Sequence, residues 1–136
     1  MGAIDSHLKA FVSMEFNTGR IGRLSSKRLS LAIGFVHAKL GEDVCLEDIA
    51  RAAGLSAFHF SRAFRNTTGV APYAYLRWAR IERVRELLTA SEKTMSQISL
   101  EAGFSDQSHM SKVFKRSTGV TPRAYREVAG ANLPLR

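Results

Sequence analysis

The chain repeats itself, and this constrains its fold more than any single segment does. Ile49, Ala53, Gly54 and Ser56 recur 49 positions later as Ile98, Ala102, Gly103 and Ser105. His59, Ser61, Phe64, Thr68, Gly69, Val70, Pro72, Ala74 and Tyr75 recur 50 positions later as His109, Ser111, Phe114, Thr118, Gly119, Val120, Pro122, Ala124 and Tyr125. Thirteen identities over the 27 positions from 49 to 75 are far beyond chance. Whatever the first copy folds into, the second must fold into as well. The step from 49 to 50 places one extra residue at the start of the second copy's later helix. A duplication that keeps only core residues explains the glycines, Phe64/Phe114 and Tyr75/Tyr125. It does not explain the outward faces.

Apolar spacing is helical along most of the chain, and strand-like alternation is weak. Leu29, Ile33, Val36, His37 and Leu40 form one face, stopped by Gly41. Leu46, Ile49, Ala50 and Ala53 form a short face ending at Gly54. Ser56 suits the cap of the next helix, with Phe60, Ala63, Phe64 and Thr67 inward and Gly69 closing it. Pro72 suits the first turn of a long helix carrying Tyr75, Trp78, Ile81, Val84 and Leu88. Thr94 with Gln97 reads as a capping box. Ser105 is the expected cap of a helix whose inward residues are Met110, Val113, Phe114 and Ser117, and Thr121-Pro122 opens the last helix. The expectation is all-α, about seven helices. Each copy is a short helix, a glycine turn and a longer helix, the helix-turn-helix pattern. The expected organisation is a tail or linker at 1–27, a first subdomain at 28–71, a linker helix at 72–90, a second subdomain at 91–130 and a tail at 131–136. Within the first stretch Ile4, Leu8, Phe11 and Val12 are spaced for an amphipathic turn or two.

Charge is distributed unevenly. Twenty Lys and Arg oppose twelve Asp and Glu, a net charge of +8, and 45% hydrophobic content is enough for a packed core. The window 41–51 is net −3, whereas 56–85 is net +5 and 106–126 is net +4. On a helical wheel Phe58, Ser61, Arg62 and Arg65 face away from the first copy's core, bordered by Asn66. Ser108, Ser111, Lys112, Lys115 and Arg116 do so in the second. A basic stripe on one helix is ordinarily a solvated face. The same bias on the same face of two repeated helices calls for a polyanionic partner. Arg77 and Arg80 on the long helix are candidate phosphate contacts, while Arg83 and Arg85 read as locally paired, for instance with Glu82.

The stretch Ala102-Gly103-Phe104-Ser105-Asp106-Gln107-Ser108-His109-Met110-Ser111-Lys112-Val113-Phe114-Lys115 resembles the signature of the AraC/XylS family of bacterial transcription regulators. Its continuation, Arg116 to Pro122 with Tyr125-Arg126, does so too. Residues 49–75 resemble the family's first helix-turn-helix, and the likeness covers about residues 28–128. Met110 stands where the family usually has Phe, and Cys45 where a Ser or Thr cap is common. The resemblance implies two subdomains joined by the long helix, each reading helix entering a major groove. It implies base reading by Phe58, Ser61 and Arg62 in the first copy and by Gln107, Ser108, Ser111 and Lys112 in the second. Arg65, Asn66, Lys115 and Arg116 lean towards phosphates. Double-stranded DNA is the implied partner, RNA polymerase a further one, activation a role found in the family, and the bacterial cytoplasm the implied location.

The chemistry of these side chains agrees. Arg62 can fork onto guanine O6 and N7, Gln107 onto adenine, the serines onto either edge, and Phe58 can pack on a thymine methyl. A helix from 72 to 90 is roughly 28 Å long, near the roughly 34 Å between major-groove faces one turn apart. One chain can then read two adjacent half-sites without dimerising.

Other chemistry finds little support. One cysteine excludes a disulfide framework and a Cys-rich zinc site. His59 and His109 lie a repeat apart with no carboxylate or thiol beside them, so packing outweighs a metal site. His7 and His37 form no constellation, and Trp78 and Tyr75 read as core. Cys45, beside Glu47 and Asp48, reads as an inert thiol. No catalytic triad, phosphate-cradling glycine loop or cofactor motif is present, so neither catalysis nor a cofactor is expected. No apolar run reaches the roughly 18 residues of a membrane span. Two alternatives to a sequence-specific regulator stay open: a non-specific basic nucleoid or membrane-surface protein, and a helical interaction module charged for solubility. Many family members carry an effector-binding domain ahead of this one. The chain is therefore either a stand-alone regulator or a DNA-binding fragment, and the glycine-rich basic stretch 19–28 favours the fragment.

Overall fold

The structure, a computed structural model, describes residues 22–132. The apolar spacing at Ile4 to Val12 lies outside the described residues. Among those described there are seven helices and no strand: α1 Ser26–Lys39, α2 Leu46–Ala52, α3 Ala57–Thr68, α4 Pro72–Ala90, α5 Met95–Glu101, α6 Gln107–Thr118 and α7 Pro122–Asn132. The chain divides into two compact units within α4, between Arg77 and Trp78.

The first unit gathers α1, α2, α3 and the first turn of α4. Its core joins Leu29, Ala32, Ile33 and Val36 of α1, Ile49 and Ala50 of α2, Phe60, Ala63 and Phe64 of α3, and Tyr75 and Leu76. Ser25 and Ser56 cap α1 and α3 by accepting from Arg28 N and His59 N. Between α2 and α3 the backbone turns at Gly54, φ +78°. The Arg28 guanidinium donates to the Ala53 carbonyl there, filling the space that a side chain at Gly54 would need. Helix α3 is fixed from behind. Phe60 and Phe64 stack at 5.4 Å, and Phe64 meets Tyr75 at 6.1 Å. The buried Thr67 Oγ1 accepts from Leu24 N at 2.8 Å, so the segment ahead of α1 straps the end of α3.

The second unit repeats this plan. Ile81, Val84, Leu87 and Leu88 of α4 pack with Ile98 and Ala102 of α5, Phe104, and Met110 and Phe114 of α6. Phe114 meets Tyr125 at 5.6 Å, as Phe64 meets Tyr75. Thr68 and Thr118 play one part in both copies. Each hydroxyl donates to the carbonyl four residues back, Phe64 or Phe114, and accepts from Val70 N or Val120 N. That bond fastens the turn after α3 and after α6 and accounts for three repeated identities. Thr94 and Gln97 form the expected capping box.

Two local expectations are overturned. The cap of α6 is Asp106, whose carboxylate accepts from His109 N at 2.8 Å, and not Ser105, whose hydroxyl meets His109 Nδ1 instead. The extra residue of the second copy falls here, so the cap position moves one place along. Ser117 is exposed, whereas its counterpart Thr67 is buried. Thr67 is covered by the Leu24 strap. The residues that correspond to that strap in the second copy belong to α4 and are helical, so nothing equivalent covers Ser117.

Candidate nucleic-acid interface

Each reading helix is held by one face and presents the other. On α3 the inward residues Phe60, Ala63, Phe64 and Thr67 lock the helix, which leaves Phe58, Arg62, Arg65 and Asn66 exposed and Ser61 half-buried beside them. On α6 Met110 and Phe114 are buried. Gln107, Ser108, Lys112, Lys115 and Arg116 are exposed, and Ser111 is half-buried at the position matching Ser61. The wheel therefore places every expected contact residue of both helices at least partly in solvent. Arg77 is exposed on α4, and Arg80 is half-buried.

Phe58 is the most exposed large apolar residue described, at 74% of its surface. The Arg62 guanidinium carbon lies 5.6 Å from its ring centre. Residues four apart on a helix face one another, so the guanidinium sits beside the ring in a cation–π contact. On α6 the matching positions hold Ser108 and Lys112, which cannot stack.

Five acids that lie off these two helices pair locally. Asp48 accepts from Arg51 at 3.2 Å, Lys39 meets Glu42 at 3.8 Å, Glu82 meets Arg85 at 3.3 Å, and Arg83 meets Glu86 at 3.0 Å. Glu101 joins Arg83 and Lys93, both at 3.1 Å. Among the described residues none of Arg62, Arg65, Lys112, Lys115 and Arg116 is in an ion pair. The Arg83 and Arg85 pairing matches the expectation, and Arg85 also lies 5.5 Å from the Tyr125 ring centre.

The two helix starts differ in charge. Neutral Ser56 caps α3, leaving that terminus a seat for an anion. Asp106 caps α6, and its carboxylate satisfies the terminus and repels phosphate there. The sequence predicts an open Ser-capped terminus on both, and α6 departs from it.

Three side chains carry roles that periodicity does not show. Arg126 donates to the carbonyls of Leu87, Leu88, Ser91 and Lys93, so one of the basic residues of the 106–126 window ties α7 to the end of α4. His37 Nε2 lies 2.6 Å from the Tyr75 hydroxyl, making a polar pair in the first core, where burial pushes the Tyr75 phenol up. The placing of His37 on the apolar face is the one sequence signal for it. Arg28 holds the Gly54 turn. His59 and His109 are both exposed, and His109 lies edge-on to Phe104 at 5.5 Å. No group of three metal-ligating side chains occurs among the described residues, and no described helix is long and apolar enough to cross a membrane.

Residues 49–127 match the family described as a helix-turn-helix domain. The chain is 34% identical over 81 residues to the regulatory protein PocR of Salmonella typhimurium, which is 60% of this chain and 27% of PocR. It is 32% identical over 84 residues to the HTH-type transcriptional activator RhaS of Escherichia coli, 62% of this chain and 30% of RhaS. The matches thus span less than a third of the length of either relative. Its fold is similar to that of a transcriptional regulator of the AraC-type DNA-binding domain class from Chromobacterium violaceum. The TM-score is 0.73 at 30% identity, covering 79% of this chain and 96% of that one. It is also similar to the DNA-binding domain of AdpA, a global transcriptional factor, in complex with a target DNA. There the TM-score is 0.74 at 28% identity, covering 80% and 98%.

Proposed function

Because this chain belongs to the AraC/XylS family of helix-turn-helix transcription regulators, we propose that it binds double-stranded DNA sequence-specifically through α3 and α6. The observation that carries this is the repetition, on two helices, of one solvent-open basic face free of acids. Phe58, Ser61 and Arg62 read base edges in one major-groove segment. Gln107, Ser108, Ser111 and Lys112 read them in the next. Arg65, Asn66, Arg77, Arg80, Lys115 and Arg116 set register on phosphates without carrying sequence information. Two such helices on one chain suit a site made of two adjacent half-sites. That AdpA's domain was solved on DNA supports the partner.

The relatives are regulators by name, which supports a role in binding rather than catalysis. RhaS is an activator by name, which supports activation and RNA polymerase as a second partner. The greater length of both relatives supports an effector-binding domain in the full regulator, acting in the bacterial cytoplasm on the nucleoid.

Selection from a randomised duplex library tests the reading. The expected product is a two-part, non-palindromic site whose preference over random duplex persists as rising salt weakens both affinities. Equal affinity for selected and random duplex across the salt range overturns it.

A further inference from the structure

We propose that the first reading helix recognises a methyl group as such: a 5-methylpyrimidine stacked next to a guanine, whether that pyrimidine is thymine or 5-methylcytosine. The inference rests on the base-reading role proposed for α3. It goes beyond that role by making Phe58 and Arg62 a single reader whose two parts need neighbouring bases.

The geometry argues for one unit. Phe58 projects 74% exposed from a helix otherwise fixed by Phe60, Phe64 and Thr67, so its ring is neither core nor part of a larger apolar patch on α3. Arg62 lies over that ring at 5.6 Å, one turn further along the same face. The guanidinium beside it carries a planar fork of donors, the shape that a guanine's O6 and N7 require. Bases stack about 3.4 Å apart. A ring centre 5.6 Å from the guanidinium carbon is less than two such steps away, so the two groups meet the same or adjacent base pairs. The one apolar group any base edge offers in the major groove is the methyl at C5 of a pyrimidine.

A phenyl ring cannot hydrogen-bond, so it cannot distinguish O4 of thymine from N4 of cytosine. It senses the methyl alone. Thymine and 5-methylcytosine are then equivalent to Phe58, and uracil and cytosine are equivalent as losses. Helix α6 lacks this reader, because Ser108 and Lys112 occupy the matching positions and both engage polar groups. The two half-sites are consequently not interchangeable, and cytosine methylation is sensed in one of them.

The test uses a duplex recovered by library selection. Each thymine next to a guanine in the half-site protected by α3 is replaced singly by uracil, by cytosine or by 5-methylcytosine, each with its matching partner base. The expected result is about a fourfold loss for uracil at one position, the worth of one buried methyl. Cytosine at that position loses at least as much, and 5-methylcytosine regains about fourfold over cytosine. Phe58→Ala removes the uracil and 5-methylcytosine effects while leaving a preference for the guanine. Uracil without effect at every such position, in a protein that still prefers the selected duplex, overturns the methyl reader and leaves sequence-specific binding standing. Loss of all preference for the selected duplex in the unaltered protein overturns the base-reading role itself.

Discussion

Arg62 lies with its guanidinium carbon 5.6 Å from the centre of the Phe58 ring, the only cation–π contact within α3 or α6 among the described residues. An exposed cation–π contact of this kind contributes about 0.5–1 kcal/mol, which biases a long side chain towards one arrangement without fixing it. Lysine keeps the charge but loses the planar fork and most of the stack. Arg62→Lys is therefore expected to bind random duplex nearly as well as the parent while losing about 1–3 kcal/mol of discrimination at one base pair. Gel-shift titration on a selected duplex and its single-base variants measures both. An equal loss on every duplex removes Arg62 from base reading.

Arg65, Lys115 and Arg116 are exposed, in no ion pair among the described residues, and further along their helices than the side chains proposed to read bases. Neutralising phosphates there releases counterions without reading sequence. Alanine at any of the three is expected to weaken specific and random duplexes alike. It also lowers the slope of log affinity against log salt by about 0.9 for each phosphate that is no longer neutralised. A slope unchanged in all three variants rules out the phosphate role.

The inward face of α3, the inward places of Phe64, Phe114, Tyr75 and Tyr125 and the glycine turns are legible in the sequence, because each rests on spacing that the repeat states twice. What escapes it is set by tertiary surroundings. Ser105 and Asp106 are both competent caps, and only the position of the inserted residue chooses between them. Ser117 has the spacing of an inward residue but lacks the Leu24 strap that buries Thr67. Arg126 reads as surface charge because an arginine's reach lets its head settle far from where its helix face points, here on four carbonyls near the end of α4. On the DNA-facing side the exposed residues are legible. The Phe58–Arg62 stack requires knowing that both side chains lean together.

Gly54 and Gly69 offer a controlled comparison. Both have positive φ, +78° and +87°. A Cβ at Gly69 would meet open space, whereas one at Gly54 would stand 2.6 Å from Arg28 Nη1. Gly69→Ala then carries only the left-handed backbone cost, about 1–2 kcal/mol. Gly54→Ala adds the displacement of Arg28 from the Ala53 carbonyl, a charged hydrogen bond of about 1.5–3 kcal/mol. Thermal or urea unfolding should rank Gly54→Ala as the more damaging. Arg28→Ala with Gly54→Ala should cost less than the two singly added, because that bond can be broken only once. Strict additivity separates Arg28 from the turn.

Arg126 donates to four carbonyls around the end of α4, and no acid shares it among the described salt bridges. Leu87 and Leu88 lie in the last turn of α4, whose carbonyls lack partners within the helix, although Leu87 O also accepts from Ser91 Oγ at 2.7 Å. Arg126→Ala is expected to destabilise the second unit by about 2–4 kcal/mol, because several charge-assisted bonds break together. Arg126→Lys, with three donors on a point charge, recovers only part of this. Hydrogen exchange at α5 and α6 reads the effect locally, and protection unchanged in Arg126→Ala refutes the tie.

Glu101 titrates with a sign that can be worked out. The Lys93 hydrogen bond, then the charges of Lys93 and Arg83, hold its carboxyl below the usual carboxylate range. A group whose folded value is depressed contributes stability above its unfolded value, about 4.3 for glutamate, and loses that contribution as pH falls through the folded value. The side chain is about one-third exposed, so solvent screens the pairs and the effect is modest. Glu101→Gln removes the charge at every pH. Urea midpoints of the two proteins are expected to differ at neutral pH, with the parent the more stable. They should converge as pH falls through the parent's depressed folded value and its own carboxyl becomes protonated. High salt should narrow the neutral-pH gap, because a partly exposed pair is screened within a few ångströms. A gap of the same size at neutral and at acid pH means that Glu101 acts through shape rather than charge.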